Sequence, residues 1–367
     1  MTSTNLFDCS RQWSSRPMEE RFTSLPAMQQ HLEQLRANST SRNYESRDLL
    51  ARPTDDNQGL MLCGPTGNAA AFTNWSFGQV AALAGAPAAY LRTLPAPTAA
   101  DCLNYGLRVE REAQETGLLL TRRPEGALEV RAATGPRYGR IWSADVVRAL
   151  AERFGDGVTG DWRVPGISGR PLDQVSQANT TLYAGDRDAF VFLADEERRV
   201  EVANRRDGQP GSLARGFIVS NSEVGAGALR IKCFLFDYVC ANRIIWGAQE
   251  VQEVAIRHSS GAPRRFVEEA APLLTQFAAA SAQPVEARIE AAQAARLERV
   301  EQFLAGRFGP RVAERMLTVH QAEEGRPVET AWDAVTAATA YARSIPWTAD
   351  RVALEEQAGA ILDEVRL

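Results

Sequence analysis

Lysine is almost missing from this chain. Lys232 is the single one among 41 basic residues, and all the others are arginine. Two causes produce such a bias: a genome whose codons favour arginine and alanine, or a demand for planar guanidinium forks that hold phosphate and stack on bases. Composition does not separate them. Histidine is also scarce: His31, His258 and His320 are scattered, with no recognisable nucleophile beside any of them. No nucleophile elbow, phosphate-cradling glycine loop, dinucleotide fingerprint or paired-histidine zinc motif occurs, which removes the common hydrolases and nucleotide-dependent enzymes and leaves no catalytic residue or cofactor to assign. The five cysteines (Cys9, Cys63, Cys102, Cys233, Cys240) are odd in number and form no Cys-x-x-Cys pair. They read as reduced and mostly buried rather than as disulfides or a zinc site. No apolar run approaches the ~20 residues of a membrane helix. The first twenty residues mix Asp8, Arg11, Trp13 and Arg16 with serines, so they lack a signal peptide's apolar core. The expected location is the cytoplasm.

What is present is ordinary globular material: 44% hydrophobic and 24% charged residues in a chain of 367, with a formal net charge of −5. That length supports two or three structural units. The stretch from Gly216 to Gly247 organises the rest. Phe217-Ile218-Val219 is a β-type run, Ser220-Asn221-Ser222-Glu223 breaks it, and a second apolar run spans Ala228 to Phe236. Gly225 and Gly227 between them give a wide hairpin turn. A helix is expected from about Phe234 to Ile244.

Before this stretch, Ser24 to Leu35 carries Leu25, Met28, Leu32 and Leu35 on one helical face, whereas Asn38 to Asn57 is polar and reads as a loop or mobile arm. Ser76 to Leu94 reads as two short helices broken at Gly85 and restarted at Pro87. A DNA-reading helix-turn-helix is the sharper alternative there, but Ala88, Ala89 and Leu91 fill the second helix and leave only Tyr90 and Arg92 as readers. Ala99 to Thr116 continues as helix. Leu118–Arg122 and Ala127–Arg131 flank Pro124-Glu125-Gly126 as a hairpin. Ser143 to Phe154 is a helix, and strands follow at 177–183, 188–194 and 198–202. From Pro263 onward the apolar spacing is helical to the end. The predicted class is therefore α+β: an antiparallel sheet with helices on one face, an N-terminal helical pair and an all-helical C-terminal region. The units are a partly flexible N-terminal arm (1–58), an α+β core (59–261) and a helical C-terminal region (262–367).

Three polar groups compete as the site. Asp186 and Asp188, two apart, could hold a divalent ion with Asp195 or Glu223. Acid pairs beside strands are more often solvated or paired with arginine, so no metal ligand is assigned. A nuclease using Asp186, Asp188 and Glu223 is the one enzymatic reading. Asn221 and Ser222 could offer backbone N–H groups to a phosphate, or could simply bond their own turn. Basic residues gather around the predicted sheet: Arg187, Arg198, Arg199, Arg205, Arg206, Arg215, Arg230, Lys232 and Arg243. Acids are equally numerous between 186 and 246. If those acids lie on the opposite face, a basic stripe remains beside Tyr183, Phe217 and Tyr238, which is the chemistry of single-strand binding. The candidate nucleic-acid-binding set is Arg198, Arg199, Arg205, Arg206, Arg215, Asn221, Ser222, Arg230, Lys232 and Arg243.

Gly216-Phe217-Ile218-Val219-Ser220-Asn221-Ser222-Glu223-Val224-Gly225, with Ala228-Leu229-Arg230-Ile231 and Val239-Cys240-Ala241-Asn242, resembles the domain-of-unknown-function family numbered 932, a phage/plasmid-like family of bacterial mobile elements. Ala241 and Arg243 stand where that family usually has Thr and Gly. The resemblance extends to Phe77–Leu94 and to the tail around Thr330-Ala331-Trp332-Asp333, covering most of residues 60–365. Its hairpin core is similar at a distance to the Rad52-type strand-annealing fold. The resemblance implies a non-catalytic, homo-oligomeric protein that binds single-stranded DNA and promotes annealing or recombination. The alternative is an anti-defence or regulatory factor that binds a host protein, which the acidic net charge fits equally well.

Overall fold

A computed structural model describes residues 16–65, 67–109, 114–165, 175–202, 211–237, 242–245, 254–279, 283–346 and 348–365. Its strands are β1 (Arg21–Phe22), β2 (Ser39–Glu45), β3 (Leu50–Pro53), β4 (Leu60–Cys63), β5 (Ala69–Phe72), β6 (Glu115–Arg122), β7 (Leu128–Thr134), β8 (Trp162–Arg163), β9 (Leu182–Ala184), β10 (Ala189–Val202), β11 (Gly211–Asn221), β12 (Leu229–Asp237), β13 (Asn242–Ile245) and β14 (Val254–Ile256). They form two sheets. The larger runs β1-β9-β10-β11-β12-β13, with β14 beside β12 and β8 beside β10; the smaller runs β2-β6-β7-β5-β4-β3. Every pairing is antiparallel except β5 with β7. The class is α+β with an all-helical C-terminal region.

The helices before the larger sheet are α1 (Leu25–Ala37), α2 (Asn74–Leu83), α3 (Ala88–Leu91), α4 (Ala96–Arg108) and α5 (Ser143–Phe154). The break between α2 and α3 is as read from sequence. Gly85 adopts φ +68°, a left-handed turn that a residue with a Cβ resists. The first helix of the pair begins before the Ser76 read from sequence: Thr73 is the N-cap of α2, and Ser76 completes a reciprocal capping box with it. One face of the smaller sheet packs on α2–α4 through Leu60, Phe72, Phe77, Leu103 and Leu107.

Three stretches fold otherwise than their local pattern suggests. Residues 38–57 contain β2 and β3 rather than a loop, because β6 and β4 supply ladders for them. Where a helix was expected over 234–244, the described residues are strand: Phe234 to Asp237 pairs with both β11 and β13. Long-range pairing of aromatic and β-branched residues overrides the helical spacing there. The helix expected over 99–116 stops at Arg108, and Thr116 belongs to β6. The strands read at 188–194 and 198–202 are one element, β10. It bends where its register against β11 shifts between Ala194 and Arg199. Asp195 holds that bend, accepting the N–H groups of Glu197 and Arg198 at 3.1 Å each.

Both faces of the larger sheet are covered. Val191, Leu193, Phe217 and Val219 point into one core with α1 and α5, where Phe217 stacks obliquely on Phe154 at 4.7 Å. Phe190, Phe192, Ala194 and Ile218 point the other way, against Val352 of the last helix, Thr348–Glu364. Leu213 and Leu235 meet Trp332 and Val335 of the helix Ala331–Ala342.

Candidate functional site

The Asn-Ser-Glu turn lies at the junction of the two sheets, and its side chains are buried (Asn221 3%, Ser222 2%, Glu223 5% exposed). Each has a partner that lies far away in sequence. Asn221 Nδ2 donates to the Ile141 carbonyl at 2.9 Å and to Ser143 Oγ at 3.1 Å. Ser222 Oγ donates to the Arg187 carbonyl at 2.7 Å and accepts the Ala226 N–H at 2.9 Å. Glu223 Oε2 accepts from Arg131 Nη1 at 3.0 Å, and Oε1 accepts the Ser143 N–H at 2.7 Å. The carboxylate therefore caps α5 from eighty residues away and compensates its dipole. A β-bulge aims Arg131 at it: Leu119 pairs with Ala132 and Leu120 with Val130, leaving Arg131 as the extra residue. Trp75 Nε1 and Gln79 Nε2 both donate to the Val224 carbonyl, at 2.9 and 2.7 Å. Tyr138 donates to the Ser222 carbonyl at 2.9 Å, and its ring stacks on His258 at 4.9 Å. Burial holds the His258 imidazole below its ordinary pKa. The turn is thus a joint tying β11 to α2, β7 and α5.

Among the described residues, the basic side chains predicted around it lie at several separate places. Arg215 is buried and lies 3.9 Å from the equally buried Asp195. Lys232 pairs with Glu356 of the last helix, and Arg199 with Glu196 three residues before it. Arg198 and Arg230 are exposed, on β10 and β12 respectively. Arg243 lies on β13 opposite Phe236. Arg205 and Arg206 lie outside the described residues, as does Tyr238. Phe217 is fully buried, and Tyr183 is half-buried beneath the Arg16 guanidinium at 5.2 Å.

Asp186 and Asp188 are matched by arginine. Arg16 bonds Asp188 at 2.5 Å and Glu20 at 3.3 Å, while Arg123 reaches Asp186 at 3.4 Å and Glu129 at 2.6 Å. Among the described residues no group of acids, histidines and cysteines has metal-binding geometry. Glu20 sits tightly in this cluster. Burial first, then Asp186, Asp188 and Glu19 acting against the Arg16 charge, push its pKa from 4.5 up to about 7. The folded chain therefore binds that proton more tightly than the unfolded one. The stability it contributes is full below about pH 4.5 and lost as pH rises through about 7. Glu20→Gln is expected to raise the melting temperature at pH 8 but not at pH 4. The gain is roughly 1–2 kcal/mol after allowing for partial solvent screening. A gain of equal size at both pH values would show that the carboxyl is not the cause.

An open cleft lies elsewhere, on the smaller sheet. It has a volume of about 120 Å³, a floor of Leu62, Ala70, Leu118, Leu120, Leu128 and Val130, and a rim that includes Asn38, Thr40, Arg42, Tyr44, Asn68 and Arg122. The strand period places this rim. Thr40, Arg42 and Tyr44 alternate along β2 and share one face, and Arg42 stands opposite Leu118. No carboxylate among the described residues lines the cleft, and its two guanidinium groups give that lining a net positive charge. Arg122 donates to the Gly126 carbonyl at 3.1 Å, and Arg42 is exposed with no ion pair among the described residues. Gly64 lets the Tyr44 ring approach the chain: a Cβ there would lie 3.2 Å from Tyr44 Cε1. Sequence reading missed this site by treating 38–57 as loop. The run from Asn38 to Glu45 is polar at nearly every position, so no apolar alternation marks it as a strand in the sequence.

A second groove, of about 380 Å³, lies between the α2–α3 turn and α4. Tyr90, Tyr105 and Val109, at 60, 71 and 40% exposure, stand on its rim. Cys102 also lines it and is exposed, unlike the buried Cys63.

Residues 175–353 match the model of a family described as a domain of unknown function (DUF932). The match supports the resemblance over that span, which holds β9 to β14, the Asn-Ser-Glu turn and most of the C-terminal helices. The cleft on the smaller sheet precedes it. No curated protein and no solved structure matches the chain. No helix among the described residues is long and apolar enough to cross a membrane.

Proposed function

We propose that this chain binds single-stranded DNA without cutting it, through the cleft on the six-stranded sheet. The observation that carries this reading is the pairing of an apolar floor and Tyr44 with Arg42 and Arg122, in a cleft that no carboxylate among the described residues lines. Guanidinium forks hold phosphates, and an aromatic beside them offers a stacking surface. The net charge of −5 does not fall on the cleft, because none of the described residues that line it is an acid. The role in a phage or plasmid, as a homo-oligomer aiding annealing or recombination, belongs to this proposal.

Filter binding of a labelled oligonucleotide over a salt series tests it. Affinity should fall steeply with salt, with a log–log slope of ~0.7 per phosphate contact on a single strand. Binding that ignores salt, or none at all at 50 mM salt, would remove the reading. In the same assay, Arg230→Ala with Lys232→Ala is expected to change affinity less than twofold, since Lys232 already serves Glu356. A large loss would return the site to the larger sheet.

A second reading has one observation in its favour. The Tyr90–Tyr105 groove is an exposed apolar surface with no charged residue among the described residues that line it, the character of a protein-binding patch. It supports a regulatory or anti-defence role through a host protein. Pull-down from nuclease-treated lysate, comparing wild type with Tyr105→Glu, decides it. A stoichiometric protein lost in the variant supports this role.

A further inference from the structure

We propose that the cleft receives one unstacked nucleobase, so that the chain engages a base as well as the backbone; this rests on the single-strand reading above. A phosphate chain alone would need only Arg42 and Arg122. It would gain nothing from the half-buried Leu120 and Leu128, which floor the cleft beside the buried Leu118 and Val130. A planar ring does gain, because its faces are apolar and its edge is polar. The rim matches that edge. Asn38, Thr40 and Asn68 bring amide and hydroxyl groups whose side chains form no hydrogen bond among the described residues. Each amide is both donor and acceptor, and so can meet either kind of edge group. The Tyr44 ring, set close over Gly64, closes one end. The volume of about 120 Å³ is several times the ~30 Å³ of one liquid water, room for a planar ring.

The test compares a thymidine oligonucleotide, an abasic deoxyribose-phosphate strand of equal length, and thymidine monophosphate, each titrated onto the full chain. The abasic strand is expected to bind at least about 10-fold more weakly than the thymidine strand, within the range that loss of base stacking gives. The monophosphate is expected to bind far more weakly than either strand. Asn68→Ala, an exposed turn position, and Tyr44→Ala should each narrow the gap between the two strands while leaving the salt slope unchanged. Equal binding of the two strands would overturn base insertion and leave the single-strand reading standing. Absence of binding by both strands would overturn both. Monophosphate binding as tight as that of the oligonucleotide would make this a free-nucleotide site and overturn the strand assignment.

Discussion

Replacing Glu223 by alanine is expected to destabilise the chain by roughly 3–5 kcal/mol, the cost of leaving a buried charge without its partner. Arg131 is the stranded group: its side chain is 3% exposed, and Glu223 is its only carboxylate among the described residues. The same substitution strips the Ser143 N–H of its acceptor and leaves the start of α5 uncapped. Glu223→Gln keeps that acceptor but not the charge, so its cost should be smaller. Replacing the pair together, Glu223→Leu with Arg131→Met, should recover most of the loss, because two apolar side chains leave no ion to desolvate. Urea denaturation of these three variants and of the single variants Glu223→Leu and Arg131→Met measures this. If the double variant loses the sum of its two single losses, the two residues are not coupled and the joint is not held by their pairing. Against a typical total stability of ~5–15 kcal/mol, the single substitution is enough to threaten folding.

Reversing both charges at the cleft, Arg42→Glu with Arg122→Glu, is expected to weaken oligonucleotide binding roughly 100-fold or more at low salt, since each lost guanidinium–phosphate contact is worth about 1.5–3 kcal/mol. Folding should be untouched, because Arg42 and Arg122 are exposed and neither has a carboxylate partner among the described residues. The neutral pair, Arg42→Ala with Arg122→Ala, should lower the salt slope by ~0.7 for each contact removed. The contrast with Glu223 separates two kinds of polar residue. One is buried and matched, and its loss is read in stability. The other is exposed and unmatched, and its loss is read in binding. Unchanged affinity in the charge-reversed chain, at unchanged melting temperature, would rule out the cleft as the binding surface.

The contrast also explains why the most conspicuous motif misled. Asn221, Ser222 and Glu223 stand between glycines, and Gly225 does adopt φ +85°, as a tight turn requires. Sequence shows that such a turn exists. It does not show that Arg131, Ile141 and Ser143 arrive from some eighty to ninety residues away to satisfy it. Two of the described basic residues have partners equally remote from local spacing. Arg215 and Asp195 lie on neighbouring strands of one sheet, and Lys232 and Glu356 are far apart in the chain, so neither pair could be matched by local spacing. For Asp186 and Asp188, pairing with arginine was the favoured expectation, and Arg123 and Arg16 supply it.

From sequence alone came the elements whose signals are local: α1 and α5 by their apolar spacing, the α2–α3 break at Gly85, the β6–β7 hairpin at Pro124-Glu125-Gly126, and the helical C-terminal region. Those follow from backbone sterics and from the period of burial, which neighbouring residues carry by themselves. The division of the strands into two sheets, the burial of the Asn-Ser-Glu turn and the opening of the cleft were decided by tertiary structure. They depend on which strand finds which partner and on where each charge meets its opposite, and both are settled between residues far apart in the chain.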